Sequence, residues 1–129
     1  MATAGEKGRL ISADKVEGTP VLNTKGGDLG HISEIMLDKP TGRVVYAVLK
    51  YGSMLGLGGK LFALPWDVLK YDTRLCGYVV DIPEDRLQNA PAFDASNPPD
   101  MADPRWGRQI HDYYGSSARW LDSLDASVG

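Results

Sequence analysis

The chain has 129 residues, with 14 basic and 17 acidic side chains intermixed and a formal net charge of −3, so it lacks the concentrated positive field of a general nucleic-acid binder. That length has room for about one domain plus an appendage, and such a domain buries enough surface to fold without disulfides or metal. The single cysteine, Cys76, excludes an intrachain disulfide and a cysteine-rich zinc site.

Residues 1–9 are small and polar and are predicted to be disordered. They hold no apolar run of signal length, and no run of about 20 apolar residues follows anywhere, so the expectation is a soluble, cytoplasmic chain without a transmembrane segment. Ser12 is placed to cap a short turn at "SADKV". "TPVLN" reads as a first strand, ended by "TKGGD". "LGHISEIMLD", Leu29 to Asp38, alternates with period two: Leu29, His31, Ser33, Ile35 and Leu37 share one face, and Gly30, Ile32, Glu34, Met36 and Asp38 the other. "KPTG" then supplies turn residues, and "RVVYAVLKY" returns as the second arm of a hairpin.

In that second arm Val45, Ala47, Leu49 and Tyr51 point one way and Val44, Tyr46 and Val48 the other. Both faces are apolar, so something must cover the outer one: the chain's own tail or a second subunit. "KLFAL", "DVLKY" and "LCGYVVDI" read as further strands, the last two paired across "DTR". About six short strands at this spacing are typical of a small barrel or sandwich over residues 10–88. The proline-rich stretch 89–103 reads as an extended linker, and residues 104–129 as a helical tail. There Asp103 is a cap with Pro104 at the first helical position, and Trp106, Ile110, Tyr113 and Tyr114 fall on one stripe before Gly115. Trp120, Leu121 and Leu124 suggest another amphipathic turn.

The stretch "KYGSMLGLGGKLFALPW" invites a phosphate-binding reading, which its spacing defeats. A P-loop ending at Gly59-Lys60 needs glycine where Met54 stands and serine or threonine where Leu61 stands. The dinucleotide pattern fits Gly56 and Gly58 but meets Leu61 at its third glycine, and no helix follows to hold phosphate. The stretch is a hairpin loop with Met54, Leu55 and Leu57 at its tip, apolar side chains suited to docking on a partner.

Other residues with chemical potential have bland readings. His31 lies among strand residues, as a half-exposed structural histidine would. His111 is followed by Asp112, but adjacent helical residues point about 100° apart and form no dyad. Cys76, on a strand with Tyr78, Val80 and Ile82, reads as a buried, inert thiol. Asp38, Asp67, Asp72 and Asp81 stand at strand ends and turns, where carboxylates accept from backbone amides. No catalytic, cofactor or metal site is expected.

Three stretches carry a resemblance: "LISADKVEGTPVLNTKGGDLGHISEIMLDKPTGRVVYAVLKYG", "GKLFALPWDVLKYD" and "YVVDIPEDRLQNAPAF". From Leu10 to Phe93 the chain resembles a PRC-barrel domain, the family named for the cytoplasmic domain of the photosynthetic reaction centre H subunit. The family also includes the C-terminal domain of a ribosome maturation factor. Its marks here are the G-x-I-x-E-I-x-L-D strand, the T-G-R-V-x-Y-A-V return and the L-P-W turn. "DPRWGRQIHDYYG" with Trp120 resembles the C-terminal extension of stand-alone bacterial members. The resemblance implies a mainly β fold, a small antiparallel PRC-type β-barrel with a short C-terminal helical extension. It also implies a non-enzymatic adaptor or assembly role. It does not extend to the reaction centre subunit's transmembrane helix or to the maturation factor's RNA-associated domain.

Three functions stand as expectations. The first is a protein-interaction module, expected as a homodimer or with an unknown protein partner. Its interface would draw on Val44, Tyr46, Val48, Met54, Leu55, Leu57, Trp106, Ile110, Tyr113, Tyr114 and Trp120. The second is an RNA or ribosome-assembly binder using Arg43, Lys50, Lys60 and Lys70, which the acidic balance disfavours. The third is a small-ligand-binding barrel.

Overall fold

β-branched and aromatic runs separated by glycine, proline and aspartate turns build a curled sheet. The computed structural model describes residues 10–52 and 60–117. A short helix α1 (Ala13–Val16) precedes β1 (Pro20–Leu22), β2 (Asp28–Leu37), β3 (Val44–Tyr51) and β4 (Leu61–Pro65). A 3-10 turn (Trp66–Val68) leads to β5 (Leu69–Asp72) and β6 (Gly77–Val80), followed by α2 (Glu84–Gln88) and α3 (Pro104–Tyr114). Among the described residues the six strands form one sheet in the order β4-β3-β2-β1-β6-β5.

Four of the five pairings are antiparallel, as expected, but β1 and β6 run parallel, Val21 opposite Tyr78 and Leu22 opposite Val79. This pairing joins segments far apart in sequence and curls the sheet on itself. The core lies inside the curl: Val21, Ile32, Leu49, Phe62, Leu64 and Val80, with Leu87 of α2 across one end.

The expected strict alternation along β2 is corrected by bulges. An extra residue, Leu29, stands between the positions paired with Val21 and Leu22 of β1, and Ser33 is extra opposite β3. Each bulge shifts the face by one residue. Leu29, Ile32 and Ile35 therefore all turn to the core, while Leu37 is 48% exposed. On β3, Val45 is extra between the partners of Leu37 and Met36, and it joins Tyr46 on the outer face.

Cys76 is also corrected. It is exposed and adopts φ +52°, outside the strand. The Asp72 carboxylate accepts from the backbone N–H of Arg74 (2.8 Å) and Leu75 (3.1 Å), which draws residues 73–76 into a turn and delays β6 to Gly77. Ser12 stands at the N-cap of α1, but its hydroxyl makes no cap hydrogen bond.

Residues 89–103 carry no helix or long strand and follow the β4 edge. Leu61 and Phe93 exchange backbone hydrogen bonds of 3.0 and 2.9 Å, and Ala90 is buried in the core. This path delivers the chain to Asp103 beside the outer face of β3 and β4.

Candidate interaction site

The outer face of β3 and β4 is the place where the barrel meets another element. Tyr46 (1% exposed), Val48 (2%) and Ala63 stand on it, with Tyr46 opposite Pro65 and Val48 opposite Ala63 in the ladder. Helix α3 of the same chain covers this face. Ile110 packs with Tyr46 and Ala63, flanked by Met36, Val45, Phe93, Met101, Trp106 and Tyr114. The Trp106 ring meets Tyr46 edge-on, with centroids 5.3 Å apart at 71°.

The ends of α3 follow from its sequence. The Asp103 carboxylate accepts from the Arg105 N–H at 2.9 Å, and Pro104 opens the helix where no amide donor is needed. Gly115 ends it at φ +64°, donating to the Asp112 carbonyl (3.3 Å) while Ser116 N–H donates to the His111 carbonyl (2.9 Å). These two hydrogen bonds to the last turn fold Ser116 back beside His111.

A polar cluster forms there that sequence reasoning missed. The Ser116 hydroxyl donates to Asp67 Oδ1 at 2.6 Å, and His111 Nδ1 lies 3.1 Å from Ser116 Oγ. The single hydroxyl proton goes to the carboxylate, so His111 Nδ1 donates and Nε2 carries the lone pair. His111 is 4% exposed, its ring 5.6 Å from that of Tyr46, and Nε2 has no hydrogen-bond partner. Burial pushes the imidazole below its ordinary range, against the pull of Asp67, the Ser117 backbone and Asp112. The Tyr114 hydroxyl is likewise buried without a partner, and burial pushes that phenol up. The buried stripe thus comprises Gly107, Ile110 and His111, with Tyr114 partly buried beside them, not only the aromatic positions. The signal available in sequence was the i+4 step from Gly107 to His111. Asp67, 49 residues from Ser116, had none.

Two further contacts hold the assembly. Arg86 of α2 lies 4.4 Å from the Tyr113 ring centroid, its guanidinium donates to the Tyr113 carbonyl, and Tyr113 Oη donates to the Arg86 carbonyl. Tyr51 Oη donates to Glu84 Oε2 at 2.6 Å and accepts from Gln88 Nε2 at 2.8 Å, tying α2 to β3.

The sequence-proposed interface therefore divides. Tyr46, Val48 and Ile110 are buried inside the chain: Ile110 of α3 packs on Tyr46 and Ala63, and Val48 lies opposite Ala63 in the ladder. Val44, Trp106, Tyr113 and Tyr114 are only partly buried. Met54, Leu55, Leu57 and Trp120 lie outside the described residues. Arg43, Lys50, Lys60 and Lys70 are exposed but dispersed. Lys50 pairs with Leu61 of β4, which Lys60 precedes, Arg43 precedes the opposite end of β3, and Lys70 is on β5 at the other edge of the sheet. His31 is half-buried on β2, opposite Lys50 and Pro20. Among the described residues, no three of His, Cys, Asp and Glu gather to hold a metal, and no helix is long and apolar enough to cross a membrane.

No curated protein matches the chain. Among solved structures it is similar to a putative 16S ribosomal RNA processing protein RimM from Pseudomonas aeruginosa, at 18% identity and a TM-score of 0.42. That match covers 61% of this chain and 48% of the other, so the chain spans about half the length of that relative. The family profile for the PRC-barrel domain matches residues 9–87, more than half of the chain and the span that holds all six strands. The chain belongs to the PRC-barrel domain family.

Proposed function

We propose that this protein is a non-enzymatic adaptor that works in the cytoplasm by binding other proteins, a second copy of itself among them. The observation that carries this reading is the use made of the polar groups. In a serine–histidine–aspartate triad the imidazole stands between the other two and takes the serine proton. Here the hydroxyl stands in the middle, donating a hydrogen bond to Asp67 and accepting one from His111, so the imidazole is not placed to take its proton. These groups fasten α3 to the barrel. The remaining rim of Val44, Trp106 and Tyr113, with exposed Leu37 opposite Val44, offers apolar and aromatic surface of the kind enriched at interface centres.

Sedimentation equilibrium on the full chain, wild type and Trp106→Arg, tests the self-association. We expect a concentration-dependent dimer weakened at least about tenfold by the substitution, as loss of roughly 1.4 kcal/mol at a central aromatic implies. A monomer up to high micromolar concentration refutes the homodimer. A retained lysate partner that is RNA and dissociates with rising salt would transfer the function to nucleic-acid binding.

A further inference from the structure

We propose that His111 is the proton-sensitive pin of a latch: with a neutral imidazole α3 stays docked, and protonation lifts α3 to expose the apolar face of Tyr46, Val48 and Ala63. Three features of the geometry carry this, and none depends on what the barrel binds.

The first is placement. His111 lies in the last turn of α3, next to Ile110 and against the Tyr46 ring, and is buried although it is titratable. The second is the fixed tautomer. The Ser116 hydroxyl is committed to Asp67, so Nδ1 already carries the one proton that a neutral imidazole has. An added proton can go only to Nε2, which is buried and has no acceptor. A charged N–H left there without a partner is costly, whereas in a lifted helix water solvates it. The third is that α3 supplies Ile110, the buried centre of this cover, with Phe93 and Met101 beside it, and enters through a segment of irregular backbone, so its release does not require the strands to separate.

The groups acting on His111 are Asp67 on the 3-10 turn, reached through Ser116, the Ser117 backbone, Asp112 on α3 itself, and the Tyr46 ring on β3. Those carboxylates favour the imidazolium, but burial outweighs them. The docked imidazole therefore holds its proton less well than the free one. The stabilisation is complete above the ordinary imidazole value of about 6.5. It falls as pH drops from there towards the depressed docked value, and is level below that. Asp103 does not confuse this window. The Arg105 amide holds its carboxyl below the usual range, so the N-terminal cap stays charged throughout.

The test is amide exchange on the full chain from pH 7.5 to 5, corrected for intrinsic rates, with α3 read against β3. Direct ¹⁵N titration of the His111 imidazole accompanies it. We expect α3 protection to fall by up to about tenfold per pH unit below roughly 6.5 while β3 holds, with His111 charging as α3 opens. His111→Gln should remove the pH dependence, and His31→Gln should leave it unchanged. The proposal is overturned if α3 protection is flat, if α3 and β3 open together, or if the slope survives in His111→Gln. An imidazolium observed in the docked helix also overturns it. Should His111→Gln fail to fold, the wild-type imidazole titration decides alone.

Discussion

At Gly30 the backbone takes φ +144°, and a Cβ built there would lie 2.1 Å from the Lys50 carbonyl oxygen of the neighbouring strand. Only glycine suits both the positive φ and the close approach. This gives the first residue of the G-x-I-x-E-I-x-L-D stretch a physical reason, since the bulges on either side make β2 bend sharply here. Gly30→Ala combines backbone strain with a clash against main chain, and we expect a loss on the order of 3 kcal/mol in urea unfolding at unchanged m-value. A loss below about 1 kcal/mol would mean that the two strands part easily at this point. Single residues were also where sequence reading failed. Cys76 was read onto the apolar strand that follows it, but the carboxylate of Asp72 four positions earlier determines the turn that exposes it.

At the scale of the element, α3 has caps legible in its own sequence: aspartate and proline at one end, glycine at the other. Its aromatic stripe was legible too, yet the place of His111 was not, because the histidine is explained by Asp67 and Ser116 across the interface. Docking rests on packing. A helix of eleven residues is marginal alone in water, so its stability comes from the face it buries. Ile110→Ala removes the central aliphatic contact with Tyr46 and Ala63, and we expect a cost of about 3 kcal/mol. The loss should appear as amide exchange throughout α3 while β2 and β3 remain protected. Concerted loss of protection in the strands would show that helix and barrel form one cooperative unit. The glycine-rich connection between β3 and β4 ends in a strand, Leu61–Pro65, and not in a helix. Without helix amides and with its motif spacing broken, it should give no heat of binding with ATP, GTP or NAD in calorimetry. Micromolar binding abolished by Lys60→Ala would contradict this.

Across the whole molecule, the number of strands and their hairpins followed from local alternation, but the long-range contact between β1 and β6 did not. That parallel pairing joins Val21 to Tyr78, and no turn residue or spacing announces it. The same holds for Phe93 on the β4 edge, in a stretch whose prolines suggested only a linker. These long-range contacts leave one face of the sheet dependent on the tail. A chain ending at Ala95 keeps the Leu61–Phe93 bridge and every strand, but it bares Tyr46, Val48 and Ala63. A contiguous apolar surface of this kind seeks cover from a second copy or from a partner. A closed two-fold dimer is the simplest such cover, since one self-complementary patch suffices. We therefore expect the shortened chain to associate more strongly than the full one in sedimentation equilibrium, or to lose solubility. Adding a peptide of residues 103–117 in excess should return the association to that of the full chain by reoccupying the face. A shortened chain that remains monomeric and soluble at high micromolar concentration would show that the bared face tolerates water, and α3 would then not be needed as its cover.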